Sequence, residues 1–480
     1  MTRLKLFILF AFITITIQSQ SLSLLNQTNQ YDFVIITVDE FVPICEQFAE
    51  HKSNSKGIKT LVTTKNLILG EFGDSSSLQE NIREFISYAG TNWAEPRPKY
   101  FMFAGDISSL PNYSFESFPN TEYYDIAKSD YPYGINVFAE DTTKLSFAIG
   151  RISARTETEL SNYFNKVINY ENDELVYDWN NNSLFLADDG KIGIEDTLLG
   201  NKIFEKVAKS VSEGTQSYIN HKYFFQSDSS DYYGTTDSVI NYVNEIGVSS
   251  IYFCGHGNDS IYTHEALFSI SDVNRLENKN KPFFASFGHT QSFSDTNTSS
   301  MLEQMLVSTD GALVGFASVV TVYLYFNEYI NRAVWSKLYT QKNLGDILLD
   351  VLKDNSSLEN RKYNLFGDPT IVLKYNPIAD IAPNPENLPK EFSLAQNYPN
   401  PFNPSTKITY SIPDNLIGEQ NVKLSIFNIL GQEVATIVNT VQRAGNYEVV
   451  FDASHLSSGT YLYQLKSGSF VKTSKMLLLK

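Results

Sequence analysis

Between Tyr31 and Tyr375 the chain repeatedly sets a short, uninterrupted run of aliphatic, β-branched and aromatic residues against a stretch with helical spacing. The apolar runs are residues 33–38, 60–63, 100–104, 147–152, 184–187, 250–254, 283–286 and 312–317. Residues 78–88, 157–170, 198–211, 238–246 and 301–307 carry the helical spacing. A strand that is apolar along its whole length is covered on both faces, and helices between such strands are the crossovers that a parallel sheet requires. The expected fold is therefore α/β, a mostly parallel sheet with helices on both faces. Ligands in such sheets sit beyond the carboxyl ends of the strands, so weight falls on the residues just after Cys254 and Ser286.

A chain of 480 residues is too long for one ordinary core. Its formal charge of −17 argues against nucleic acid and against an anionic membrane surface as partners. With two cysteines, Cys45 and Cys254, no disulfide framework holds it together. Arg3 and Lys5 precede an apolar stretch at 6–17 and then Gln18-Ser19-Gln20, the pattern of a secretory signal peptide over 1–20. The stretch is too short to span a membrane, and the mature chain is expected to carry no transmembrane segment.

After Tyr375 the composition changes. Residues 376–389 contain four prolines, so an extended, semi-rigid linker is expected over 376–391. Beyond it the apolar period becomes two: Ile408, Tyr410 and Ile412; Val422, Leu424 and Ile426; Tyr447, Val449 and Phe451; Tyr461, Tyr463 and Leu465. Turn residues Asn428, Gly431, Gly445 and Gly459 separate these runs, as in a small all-β, immunoglobulin-like sandwich. From Phe392 onward the net charge is +2, leaving −19 for the rest of the chain.

Leu394-Ala395-Gln396-Asn397-Tyr398-Pro399-Asn400-Pro401-Phe402-Asn403-Pro404, then Ile426-Phe427-Asn428-Ile429-Leu430-Gly431-Gln432-Glu433-Val434 and Ser458-Gly459-Thr460-Tyr461, resemble the C-terminal sorting domain of the type IX secretion system. The resemblance covers 392–480 and implies export through Sec, passage across the outer membrane, and release or surface attachment. Residues 30–375 resemble the gingipain-type cysteine peptidases, through the ordered set Phe103-Ala104-Gly105-Asp106, Ser129-Asp130-Tyr131, Ala148-Ile149-Gly150-Arg151-Ile152, Ala187-Asp188-Asp189-Gly190, Gly255-His256-Gly257 and Leu365-Phe366-Gly367-Asp368-Pro369-Thr370. That resemblance implies a caspase-like fold, cysteine peptidase activity and a His-Cys dyad.

His256, flanked by glycines at the end of an apolar run, takes the place of the dyad's base. The nucleophile has no counterpart. Aligning the family pattern on Phe293 puts Gly288 at the cysteine position, with Gln291 in place of a turn glycine, and aligning on the strand puts Phe287 there. Thiol attack needs a thiolate made by the neighbouring histidine, and neither residue supplies one. Cys254, two residues before His256, could share its strand face, although a buried apolar role suits it better. Thr290, Ser292 and Ser294 are loop hydroxyls within reach of an alternative scheme, and His289 with His256 would need added carboxylates to hold a metal. Asp188 and Asp189 read first as caps of the next turn, and second as groups that orient His256 or bind a cation. Asp106, Asp130 and Asp368 read as local backbone acceptors. No cofactor is required by this chemistry, and loop carboxylates leave structural calcium open.

The expectation is a secreted or surface protein of the gingipain-type peptidase family with a degenerate site, a peptide- or protein-binding pseudopeptidase; an active peptidase using Cys254 or a loop Ser or Thr with His256 is the alternative. Deleting residues 392–480 is expected to trap the protein in the periplasm, read by fractionation and immunoblotting; normal amounts in the medium or at the surface would remove the sorting assignment.

Overall fold

The computed structural model describes residues 22–479 except 74–76, 118–125, 190–201, 228, 263–266, 292, 294–298, 353–357, 377–390, 414–419, 443–444, 455 and 469. The signal peptide expected at 1–20 and all but the end residues of the linker expected at 376–391 lie outside the described residues. The chain divides into two compact units, Met1–Asn376 and Pro377–Lys480.

The first unit is built on ten strands: β1 (Phe33–Thr37), β2 (Thr60–Thr64), β3 (Tyr100–Ala104), β4 (Ala148–Ile152), β5 (Asn182–Ala187), β6 (Asn220–Phe225), β7 (Ser250–Cys254), β8 (Phe283–Thr290), β9 (Ala312–Ser318) and β10 (Tyr363–Phe366). They form one sheet in the order β2-β1-β3-β4-β10-β9-β8-β7-β5-β6. Every neighbouring pair is parallel except β9 and β10, where Gly315 faces Phe366 and Ser318 faces Tyr363 in an antiparallel ladder. Because β10 is parallel to β4, this junction joins two parallel blocks of opposite direction. The carboxyl ends of β5, β7, β8 and β9 therefore lie at one edge of the sheet, and those of β1, β3 and β4 at the other.

The helices are α1 (Val42–Lys56), α2 (Lys65–Phe72), α3 (Leu78–Asn92), α4 (Glu157–Asn172), α5 (Ile203–Ser212), α6 (Thr236–Asn241), α7 (Met301–Val307), α8 (Leu324–Trp335) and α9 (Leu344–Leu352). Local chemistry sets where several begin. Ser77 caps α3, and Thr156 with Glu159 closes a reciprocal capping box on α4. Coverage of both faces shows in β1, where Phe33 and Ile35 pack with Phe48 of α1 while Val34 and Ile36 pack with Phe85 and Ile86 of α3.

Arg151 of β4 is wholly buried, and it is satisfied by a fork: Nε and Nη2 donate to the two carboxylate oxygens of Asp130 at 2.6 and 2.8 Å, and Nη1 donates to Gly105 O at 3.0 Å. Its guanidinium lies 4.5 Å from the Phe103 ring centre and 5.5 Å from that of Phe293. Asn364 of β10 accepts from the Asp130 backbone N–H, and the Phe366 ring packs tilted against Phe293 with centroids 4.6 Å apart. Asp130 was expected to serve its own backbone, and here the structure corrects the reading. Asp106 and Asp368 do accept locally, from Ser109 N and Thr370 N, while Asp368 also meets the buried Lys52 at 2.6 Å.

In the second unit β11 (Ser405–Ile412) pairs antiparallel with β14 (Gly445–Asp452), and β12 (Gln420–Phe427), β13 (Glu433–Gln442), β15 (Gly459–Ser467) and β16 (Phe470–Leu478) form a second antiparallel sheet. Ile408, Tyr410, Ile412, Val422, Leu424, Ile426, Tyr463 and Leu465 fill the core between them.

Asp130→Ala would leave a buried guanidinium unpaired and is expected to lower stability by about 3–5 kcal/mol, whereas the double change Asp130→Leu with Arg151→Met should be far milder. Urea denaturation of the three proteins reads the difference.

Candidate active site

β7 ends at Cys254 and carries Gly255, His256 and Gly257 past its carboxyl end; β8 is its parallel neighbour, with Phe287 opposite Phe253, so Gly288 emerges at the same edge. His256 is held by Asp188, which comes just after β5 on the other side of β7. One carboxylate oxygen, Oδ2, accepts from the His256 backbone N–H at 2.9 Å and from the ring Nδ1–H at 2.6 Å. The Asp188 carboxylate is fully buried, the imidazole is 23% exposed, and Phe204 of α5 stands edge-on to the ring at 5.0 Å. With Nδ1–H donating to a carboxylate, the lone pair resides on Nε2, the state a general base needs.

The close approach depends on Gly255, where a Cβ would come within 2.3 Å of Asp188 Cβ. Of the two roles the sequence offered for Asp188, the second is met here: it orients the histidine, while the turn it would cap, from residue 190 on, lies outside the described residues. What made it useful is that β5 lies beside β7 in the sheet, an adjacency that spacing along the chain does not encode.

Opposite the histidine loop, the ladder of β8 is interrupted. Phe287 pairs with Ala317 and Thr290 with the next residue of β9, Ser318, so Gly288 and His289 are two extra residues inserted in β8. Bulges of this kind re-aim a chain beside a site. Phe287 is 1% exposed and packs 5.0 Å from Tyr262, whose ring in turn stacks on Phe253 at 4.5 Å. Position 287 belongs to the core, and Gly288 is where the chain leaves the ladder.

Gln291 and Phe293, just after β8, are both anchored. Gln291, fully buried, donates from Nε2 to Asn258 O at 3.2 Å and accepts the Leu302 N–H at 2.8 Å, tying the chain here to the loop after β7 and to the start of α7. Phe293 then lies on Arg151 and Phe366. A side chain in place of a turn glycine accordingly has a structural task at this edge.

Cys254 is fully buried in β7, and burial pushes its thiol up to about 12, with Tyr252 as hydrogen-bond partner drawing it down less than burial raises it. Such a thiol is protonated at neutral pH and is a poor nucleophile. Cys45 in α1 is raised by burial to about 12 as well. Ser292 and Ser294 lie outside the described residues, as do the side chains of His289 and Thr290. Among the described residues no three His, Cys, Asp or Glu side chains are grouped to hold a metal.

Residues 26–374 match the model of peptidase family C25, and the chain belongs to that family. Residues 396–479 match the secretion system C-terminal sorting domain, which marks the chain for type IX secretion to the cell surface or beyond, and no helix among the described residues is long and apolar enough to cross a membrane. Solved structures share the fold. One is the complex of Porphyromonas gingivalis RgpB pro- and mature domains, with TM-score 0.57 and 15% identity over 93% of this chain and 100% of that one. Another is the Arg-specific cysteine proteinase gingipain R, with TM-score 0.58 and 15% identity over 94% of this chain and 98% of that one. No curated protein matches in sequence.

Both thiols being buried and raised, iodoacetamide at pH 8 is expected to modify neither cysteine in the folded protein and both after denaturation, read by intact mass. Rapid native labelling of Cys254 would contradict its burial.

Proposed function

We propose that this member of peptidase family C25 is an exported pseudopeptidase, which binds a peptide or protein segment at the cleft edge without cleaving it. The observation that carries the reading is the pairing of a well-oriented base with an empty nucleophile position. Asp188 and Gly255 hold His256 in its basic tautomer. The strand beside it runs from a core phenylalanine at 287 directly into Gly288, with no thiol to deprotonate. Cys254 is protonated at working pH, which weighs against the active-peptidase alternative through that residue. Covalent catalysis without its nucleophile falls back on whatever the remaining donors and binding provide, orders of magnitude below a complete dyad.

Peptide capture needs neither a thiol nor proton transfer. The edges of β7 and β8 still end in glycine-bearing turns, where the backbone of a ligand can come close. Gln291 and Phe293, beside this edge, are already buried against Asn258, Leu302, Arg151 and Phe366, so these two side chains need no ordering on binding.

The purified protein is expected to hydrolyse no peptide in reducing, calcium-containing buffer and to take no label from a thiol-reactive peptidyl ketone. His256→Ala and Cys254→Ala should change neither result. Gly288→Cys should gain labelling that His256→Ala abolishes. Robust hydrolysis by the unaltered protein that vanishes in Cys254→Ala would end the pseudopeptidase reading.

A further inference from the structure

In the second unit Asn428-Ile429-Leu430-Gly431-Gln432 joins β12 to β13, and the first two residues at its tip are aliphatic and stand in solvent, Ile429 74% and Leu430 78% exposed. Polar residues and glycine dominate such turns, for their local hydrogen bonds and backbone freedom. Here the flanking residues do that work. Asn428 Oδ1 accepts from Leu430 N and from Gln432 N at 3.0 Å, and its Nδ2 donates to Gln432 Oε1 at 2.8 Å. Gly431 N donates to Asn428 O at 3.0 Å, and Gly431 takes the left-handed φ of 77°. The turn is thus held by residues other than the two it displays, and neither Ile429 nor Leu430 belongs to the core that Ile426 helps to fill.

A second observation enlarges the patch. Phe427 lies opposite Leu462 and Gly459 opposite Leu478, so the tip and Leu479, 50% exposed, leave the four-stranded sheet at the same end. The strands that carry them are two spacings, roughly 10 Å, apart. Ser457 and Ser458, just before β15, are exposed at this end and carry no charge. The carboxylate of Glu433, the first residue of β13, is drawn to Lys423 at 2.9 Å. Exposed aliphatic side chains gathered within an uncharged polar rim mark a contact surface.

The chemistry of the tip selects its occupant. Two aliphatic side chains on a rigid turn form a knob that fits an apolar pocket, and a turn already held in one arrangement has little left to order on binding. A membrane surface fits it poorly, since the turn has no lysine or arginine to meet anionic headgroups and no tryptophan or tyrosine to sit at the interface. The unit that carries the knob is a secretion system sorting domain, which implies the secretion machinery as its partner. We propose that Ile429 and Leu430, with Leu479 beside them, are the docking tip by which the sorting domain seats in an apolar pocket of a protein of that machinery.

Export of the full chain by cells with type IX secretion tests this. Ile429→Ser with Leu430→Ser is expected to leave the thermal melt of the purified chain in place and to cut the exported fraction about tenfold or more, with the protein accumulating in the periplasm. Ile429→Val with Leu430→Met keeps the knob apolar and should be exported normally. So should Val471→Ser, which removes a side chain 52% exposed at the opposite end of the same sheet. A photo-cross-linking phenylalanine at position 430 should capture a component of the secretion machinery in living cells, and one at position 471 should not. Normal export of the double serine variant, equal loss with Val471→Ser, a melt lowered in step with export, or cross-links from position 430 to lipid or to a second copy alone would overturn the inference. Trapping by deletion of 392–480 together with normal export of the double serine variant would reject the tip and leave the sorting assignment standing.

Discussion

The ion pair between Arg151 and Asp130 is the contact on which the first unit is organised. It draws together the strand β4, the turn at Gly105 after β3, the segment carrying Asp130, and the loop after β8 through Phe293. A guanidinium in such a place is no bargain in energy against a hydrophobic pair of like volume, but it is very specific, because half of the pair alone cannot be tolerated. Its five N–H groups select one arrangement of carboxylate, carbonyl and ring, and every segment that supplies one of these is fixed to the others. Phe293, just after β8, is one of those contributors. The place of that ring is therefore set by packing and charge.

This also explains what could be read from the chain. The strands of the sheet interior announced themselves as continuous apolar runs, and 100–104 and 250–254 were found with their limits unchanged. β6 begins with Asn220, His221 and Lys222, as befits a strand at the sheet margin with one side open, and it gave no apolar run. β10 has only four residues, yet it is the strand that reverses the direction of half the sheet. A pattern of apolar runs is blind to direction, so a wholly one-directional arrangement and this two-block one read alike. The ordered landmarks in the sequence were legible for a physical reason: Gly105, Asp130, Arg151 and the Leu365-Phe366-Gly367 segment all converge on one buried cluster.

The site was only half legible. His256 stood out because glycines on both sides of a histidine at a strand end are hard to justify by packing alone. Asp188 did not, since a carboxylate after a strand has many local uses, and only the sheet order brings it to the imidazole.

The two residues inserted at 288 and 289 have a consequence of parity. Side chains of a strand alternate with period two, so an insertion of one residue would turn every later side chain over, whereas an insertion of two leaves the phase intact. Thr290 rejoins the ladder in step with Ser318, as though nothing had intervened. The chemical identity of the inserted pair is thus uncoupled from the folding code of the strand around it. A chain built this way can exchange the residue at that spot by one substitution while its architecture stands still.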